Sequence, residues 1–226
     1  MQNQKMNAYQ FLKRKLLNCE IMPGEYINEK ELVLNSSYGR TPIREALILL
    51  KAENLVEIIP RQGTYASRIT QESVQNLFSL RKLLEPAVAV SCRASIDLAA
   101  LTAFDARMKT LSQQKEDTEN RKRIYSLDMD FHRFIAAASR NPRITATMEP
   151  LLQETYRIGI FNSLSNTENA PAETYAQHSQ IIHAILTEND GALRDMFLFH
   201  LNQGLISSLA ALKHPQEIQE SEDASR

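Results

Sequence analysis

The sequence predicts a mainly α fold in two parts: an N-terminal head of short helices closed by a β-hairpin, and a longer antiparallel bundle built of helices alone. Three observations predict it. Only six glycines occur in 226 residues, and few stretches alternate apolar with polar side chains, so strand patterns are scarce. Where apolar residues recur they do so three and four apart, the repeat of a helix. Charge is also divided unevenly. Residues 1–70 carry ten Lys and Arg against seven acids, a net +3, while the remainder carries 16 against 20, a net −4, within a chain whose total is −1. A basic head on an acidic body points to two tasks in one chain.

The head reads element by element. Tyr9, Phe11, Leu12, Leu16 and Leu17 form a stripe on a helix over 7–18, with Lys13, Arg14 and Lys15 off it. Met22-Pro23-Gly24-Glu25 is a turn. Asn28 is a natural N-cap for a short helix holding Leu32, Val33 and Leu34, which ends in Asn35-Ser36-Ser37-Tyr38-Gly39. Thr41 is expected to cap the next helix, with Pro42 at its first position, where a missing N–H costs nothing. Ile43, Ala46, Leu47 and Leu50 give that helix one buried face, and Asn54 can end it in a left-handed conformation. Residues 55–60 and 64–67 read as strands joined by Arg61-Gln62-Gly63, a hairpin with a basic tip.

Beyond residue 70 only helical patterns occur, over about 71–94, 97–115, 120–139, 142–163, 171–188 and 190–212. The expected organisation is therefore a head over 1–70, a helical body over 71–213 and a polar tail over 214–226. No apolar run approaches the ~18 residues of a membrane span, so no membrane partner is expected. The first residues lack the pattern of a secretory signal. Two cysteines, Cys19 and Cys92, fit a reducing compartment, and the expected location is the cytoplasm.

Helix, turn, second helix with basic residues at its start, then a hairpin is the order of a winged helix-turn-helix, whose second helix enters the major groove of DNA. Arg40 and Arg44 are four apart and share the face opposite Ile43, Ala46, Leu47 and Leu50. A guanidinium fork suits a guanine edge or a phosphate, although surface arginines also simply solvate a helix. The stretch Asn28-Glu29-Lys30-Glu31-Leu32, Gly39-Arg40-Thr41-Pro42-Ile43-Arg44-Glu45-Ala46-Leu47, Asn54-Leu55-Val56 and Pro60-Arg61-Gln62-Gly63-Thr64 resembles the GntR family of bacterial transcription regulators. That resemblance implies operator contacts from Arg40 and Arg44, supporting contacts from Thr41 and Lys30, and a wing tip at Gln62 and Gly63 entering the minor groove. Gly39 stands where the family usually has Ser or Thr, and Asn54 where it usually has Gly. The implied partner is a palindromic double-stranded operator bound by a homodimer, which adds the nucleoid to the expected location.

In the body, Asp128 and His132 lie at i and i+4 on one helical face. His178 lies about ten residues before the Glu188–Gly191 turn and His200 about nine after it, so the two can face each other at similar depth. Three imidazoles and a carboxylate on facing helices can hold a divalent transition metal. Read singly, each histidine is equally a core side chain satisfied by a carbonyl. Arg81-Lys82-Leu83-Leu84-Glu85-Pro86, Asp128-Met129-Asp130-Phe131-His132 and Ala138-Ser139-Arg140-Asn141-Pro142-Arg143-Ile144 resemble the FCD ligand-binding domain of the FadR subgroup. The resemblance implies a metal, zinc in first place with nickel, manganese or iron also compatible, on Asp128, His132, His178 and His200. It further implies a small carboxylate-bearing effector at that metal, paired with Arg81, whose alternative role is a salt bridge to Glu85. Tyr156 and Arg157 are candidates for the same pocket.

The competing class is a metal-dependent hydrolase, since an Asp/His₃ site with an open position can activate water. The sequence has no His-Glu-x-x-His pair, no Gly-x-Ser-x-Gly elbow and no phosphate-cradling loop, so no enzyme activity is expected.

Overall fold

The computed structural model describes residues 2–164 and 171–213; the tail expected over 214–226 lies outside the described residues. The head comprises α1 (Gln2–Leu17), α2 (Glu29–Leu34), α3 (Arg40–Ala52), β1 (Val56–Ile59) and β2 (Gly63–Ala66). Its core is one apolar cluster in which Leu12, Leu16, Ile43 and Leu50 are fully buried. Asn28 caps α2 by accepting from the N–H groups of Lys30 and Glu31. Asn54 adopts φ +58 beyond the end of α3, so Asn serves where Gly is usual.

The start of α3 differs from expectation. Gly39 is the N-cap, Arg40 the first helical residue and Pro42 the third, and Thr41 does not cap. The reason is that the first N–H groups of a helix all lack intrahelical partners, so Pro is tolerated at the third position as well as at the first.

The hairpin pairs β1 and β2 antiparallel, from Val56 opposite Ala66 to Ile59 opposite Gly63. Gly63 has φ +126, and a Cβ there would lie 2.5 Å from the ring of Tyr26. Any side chain would strain the backbone and displace that ring, so glycine is required by the fold.

The body is a bundle of α4 (Gln71–Cys92), α5 (Leu98–Ser112), α6 (Thr118–Ala138), α7 (Pro142–Leu164), α8 (Pro171–Leu186) and α9 (Asp190–Lys213), with a 3₁₀ turn at Arg93–Ser95. A capping box between Thr70 and Ser73 starts α4. Leu101, Phe131, Ile181, Leu193 and Phe197 lie at the centre of the larger core cluster. Val74, Phe78, Ile158 and Leu201 tie α4, α7 and α9 together in a second one. Gly159 lets the Tyr125 ring of α6 lie directly on α7, because a Cβ there would meet it at 2.5 Å.

Head and body meet along α7. The hydroxyl of Tyr156 donates to Asn18 Oδ1 at 2.9 Å, Arg157 Nη2 donates to the Ser67 carbonyl at 2.7 Å, and the Cys19 thiol contacts the Arg157 carbonyl at 3.7 Å. Among the described residues no helix is long and apolar enough to cross a membrane.

Candidate functional site

On the head, Lys30, Arg40, Thr41, Arg44 and Gln62 are exposed and Gly63 is half-buried. Arg40, Thr41 and Arg44 lie on the first two turns of α3, whose N-terminal amides no side chain caps. Such an end attracts a phosphate through its free donors and helix dipole. The Arg44 side chain is 71% exposed, with Nε held 2.9 Å from Glu29 Oε2, so α2 aims it without burying it. Arg61, which the sequence reading left out of its contact set, sits exposed at the wing tip in the left-handed region with φ +64. Gly63 follows it in a backbone conformation with φ +126, packed closely against the Tyr26 ring.

In the body, four side chains from three helices converge: Asp128 and His132 from α6, His178 from α8 and His200 from α9, all buried. Asp128 Oδ1 lies 3.2 Å from His132 Nε2, 2.9 Å from His178 Nε2 and 3.6 Å from His200 Nε2. His132 Nε2 and His200 Nε2 are 3.2 Å apart. Asp128 Oδ1 and His178 Nε2, despite their separation, fall outside hydrogen-bond geometry and have no hydrogen-bond partner. Four potential ligand atoms all within 4.8 Å of one another therefore face a common point more than they face each other.

The opposite ring nitrogens fix which way the lone pairs point. His178 Nδ1 sits 2.8 Å from the Thr174 carbonyl, His200 Nδ1 2.8 Å from Gln177 Oε1, and His132 Nδ1 against the Glu85 carboxylate. Carbonyl and carboxylate oxygens only accept, so each Nδ1 donates a proton outward and Nε2 is the nitrogen that each ring turns inward. Once unprotonated, three such nitrogens and a carboxylate converge on one buried point with lone pairs that a cation can accept. The donor set fits a divalent transition metal, with a hydrogen-bonding partner behind each ring.

Glu85, Gln177 and the Thr174 carbonyl were not recognised as orienting groups from the sequence; only Glu85 carried a signal, as the fourth residue after Arg81. Glu85 is fully enclosed. Burial would raise its pKa, but Arg81 and His132 outweigh that and take it down to about 2. Burial likewise opposes charging of His132, yet Glu85 and Asp128 hold it up at about 9. Burial and the neighbouring His178 push His200 down to about 4.

Arg81 forms the expected salt bridge to Glu85, Nε to Oε1, and is 1% exposed. Its Nη2 has no hydrogen-bond partner, and the residue lines a small cavity beside Asp128 and His200. That cavity has about 30 Å³ available to solvent, room for a water or two. Its other walls include Thr155, Gly159 and Gln177. Tyr156 and Arg157 do not reach this cavity; they face the head, because α7 is covered on both sides and its sequence does not tell the faces apart.

Comparison with known proteins matches this architecture. Residues 76–203 match the FCD domain family, and residues 4–66 match the family described as bacterial regulatory proteins, gntR family. The chain is 26% identical over 197 residues to the HTH-type transcriptional repressor RspR of Escherichia coli, covering 86% of this chain and 84% of that one. It is 26% identical over 207 residues to the HTH-type transcriptional regulator LutR of Bacillus subtilis, covering 81% and 91%. A GntR transcriptional regulator from Rhodococcus sp. RHA1 superposes with a TM-score of 0.76 at 18% identity, covering 92% of this chain and 99% of that chain. McbR/YncC of E. coli gives 0.75 at 19%, covering 92% and 98%. These relatives are regulators and not enzymes, which sets aside the hydrolase alternative. With its N-terminal helix-turn-helix and C-terminal FCD domain, the chain belongs to the GntR family of transcriptional regulators.

Proposed function

We propose that this regulator reads a palindromic operator as a homodimer and responds to a small carboxylate-bearing metabolite bound at a divalent transition metal in the body. The carrying observation is the inward convergence of three imidazole Nε2 atoms and one carboxylate, each ring anchored from behind. In this reading residues 1–70 contact DNA and residues 71–213 sense and dimerise. Asp128, His132, His178 and His200 would hold the metal, with zinc the first expectation and nickel, manganese or iron also suited to imidazole-rich ligation. The metal would supply a Lewis-acidic positive charge to which a carboxylate can bind. Arg81 would offer its unpartnered Nη2 to the same carboxylate while Nε stays with Glu85.

On the head, Arg40 and Arg44 would take base edges and phosphates, Thr41 and Lys30 the flanking backbone, and Gln62 with the turn at Gly63 the minor groove. A homodimer is supported by apolar side chains on the adjoining helices α4 and α9: Leu83 is 74% exposed and Ile206 59%, with Leu80 and Phe199 beside them. Phe199, Asn202 and Ile206 share one stripe of α9, and Asn202 accepts from Lys82 of the adjoining α4. The chain has no membrane-crossing helix among its described residues, and action at the nucleoid follows from the reading.

Two measurements test it. Elemental analysis of protein purified without added metal should find about one transition metal per chain, lost in His178→Ala. A gel-shift series across salt should show palindrome-specific binding that weakens steeply as salt rises and is abolished by Arg44→Ala. Equal affinity for random and palindromic duplexes would overturn the DNA half; metal-free protein that binds no added Zn²⁺ would overturn the sensing half.

A further inference from the structure

A cavity of about 180 Å³ lies in the seam between head and body. Its walls come from the end of α3 (Glu53, Asn54), the linker (Ser67, Arg68) and α7 (Glu154, Arg157). Arg157 is 3% exposed, yet it has no ion pair among the described residues: Nη2 donates to the Ser67 carbonyl and Nε has no hydrogen-bond partner. A buried guanidinium without a counter-ion is among the costliest groups a fold can carry.

The neighbouring acids do not supply that counter-ion. Glu53 is taken by Lys13 and Tyr9. Glu154 lies three residues back on the same helix but beyond ion-pair distance among the described residues, half-buried, with burial pushing its carboxyl up. The Cys19 thiol, which approaches from the head, is pushed up to about 11 by burial and stays neutral. Arg68 adds a second guanidinium from the linker.

We propose that this seam is a second ligand site, separate from the histidine cluster, for a small anion of carboxylate or phosphate type seated on Arg157 and Arg68. Such an anion completes the hydrogen bonding of Arg157 and bridges α7 to the linker, so its occupancy sets how firmly the head is held to the body. The site is independent of any metal, because none of its walls belongs to the histidine cluster.

The test uses the full chain after chelator treatment, titrated calorimetrically with inorganic phosphate against chloride at matched ionic strength. Expected are saturable binding of one phosphate per chain, slower amide hydrogen exchange over residues 67–70, and at least ~10-fold weaker binding in Arg157→Met, the loss of one charge-assisted hydrogen bond. Arg68→Met, at an exposed linker position, should also weaken phosphate binding and keeps the test valid if Arg157→Met fails to fold. Asp128→Asn and Arg44→Ala should leave phosphate binding unchanged. Absence of saturable binding, or unchanged affinity in Arg68→Met, overturns the proposal. Binding that survives Arg157→Met but is lost in Asp128→Asn or Arg44→Ala does so too, by placing phosphate in the body cluster or on the DNA face. Metal content is read separately, so failure here leaves the metal reading standing.

Discussion

Replacing Glu85 by Gln turns a buried carboxylate that faces both Arg81 and His132 into a neutral amide of nearly the same shape. Two effects follow, and they separate experimentally. The first is on stability. Breaking a buried ion pair by neutralising one partner costs about 3–5 kcal/mol, because the remaining charge stays buried. The lowering of Glu85 from 4.5 to about 2 implies the same order, about 3 kcal/mol. Its folded pKa is depressed, so this stabilisation is present above about pH 4.5 and fades as pH falls towards 2. For a chain of this length the loss corresponds to a melting temperature roughly 6–20 °C lower. Replacing both residues, Arg81→Met with Glu85→Met, removes both charges and should recover most of the loss. The second effect is on metal. His132 Nδ1 loses its carboxylate, and loss of an orienting partner weakens metal binding by roughly 10–100-fold. The amide oxygen of Gln can still accept, so the single variant should lie near the lower figure and the double variant near the higher one. Stability is read by denaturant melts in chelator, and affinity by competition for Zn²⁺ against a chromophoric chelator. A Glu85→Gln protein as stable as the original, or a double variant with undiminished metal affinity, would refute the reasoning.

On the DNA face, Arg40→Ala and Arg44→Ala should each cost about 1–3 kcal/mol of operator binding, with a salt slope shallower by about one where a phosphate contact is lost; gel shifts over a salt series decide, and an unchanged affinity in both removes α3 from the interface. Gly63→Ala should cost roughly 1–3 kcal/mol of stability through its φ of +126 and the displaced Tyr26 ring, and should weaken DNA binding while leaving metal content intact. Loss of metal together with the wing would contradict their separation. Stripping metal should lower the melting temperature, and adding Zn²⁺ back in weakly buffered solution should release protons, because ligation requires His132, held at about 9 by Glu85, to be unprotonated. A pH electrode that records no release would count against ligation by His132.

Much of this molecule was legible residue by residue, and where it was not the reasons are physical. Asn28, Asn54 and the wing could be read because caps and left-handed turns are local contests among a few residue types. The start of α3 was misplaced because Thr41-Pro42 and Gly39-Arg40 both satisfy the local rules, and only the packing of the helix chooses between them. The four cluster residues could be found because the i, i+4 pair and the symmetric spacing about the α8–α9 turn are features of one and two helices. Glu85 and Gln177 were not, because their partners lie on other helices: Glu85 on α4 meets His132 of α6, and Gln177 on α8 meets His200 of α9. The place of Tyr156 and Arg157 could not be chosen from the sequence because α7 packs against the head, α4, α6 and α9 at once, leaving no polar face to give its orientation away.

In the proposed reading, that same enclosure makes α7 the element that joins the sensing body to the head. Thr155 and Gly159 stand at the cavity beside Asp128 and His200, while Tyr156 and Arg157, their immediate neighbours, hold Asn18 and Ser67 of the head. The cavity has room for little more than a water molecule, so an organic acid must enlarge it to enter. The Tyr125 ring of α6 packs against Gly159 of α7, and Glu85 ties α4 to His132 of α6. Packed interiors respond to such pressure by shifting whole elements and not by compressing. In that reading a displacement of α7 at residue 159 would reach, within one turn, the hydrogen bonds of Tyr156 and Arg157 that seat the head. By linkage, an effector that prefers one head arrangement must bind more tightly when DNA already selects that arrangement, and by the same factor.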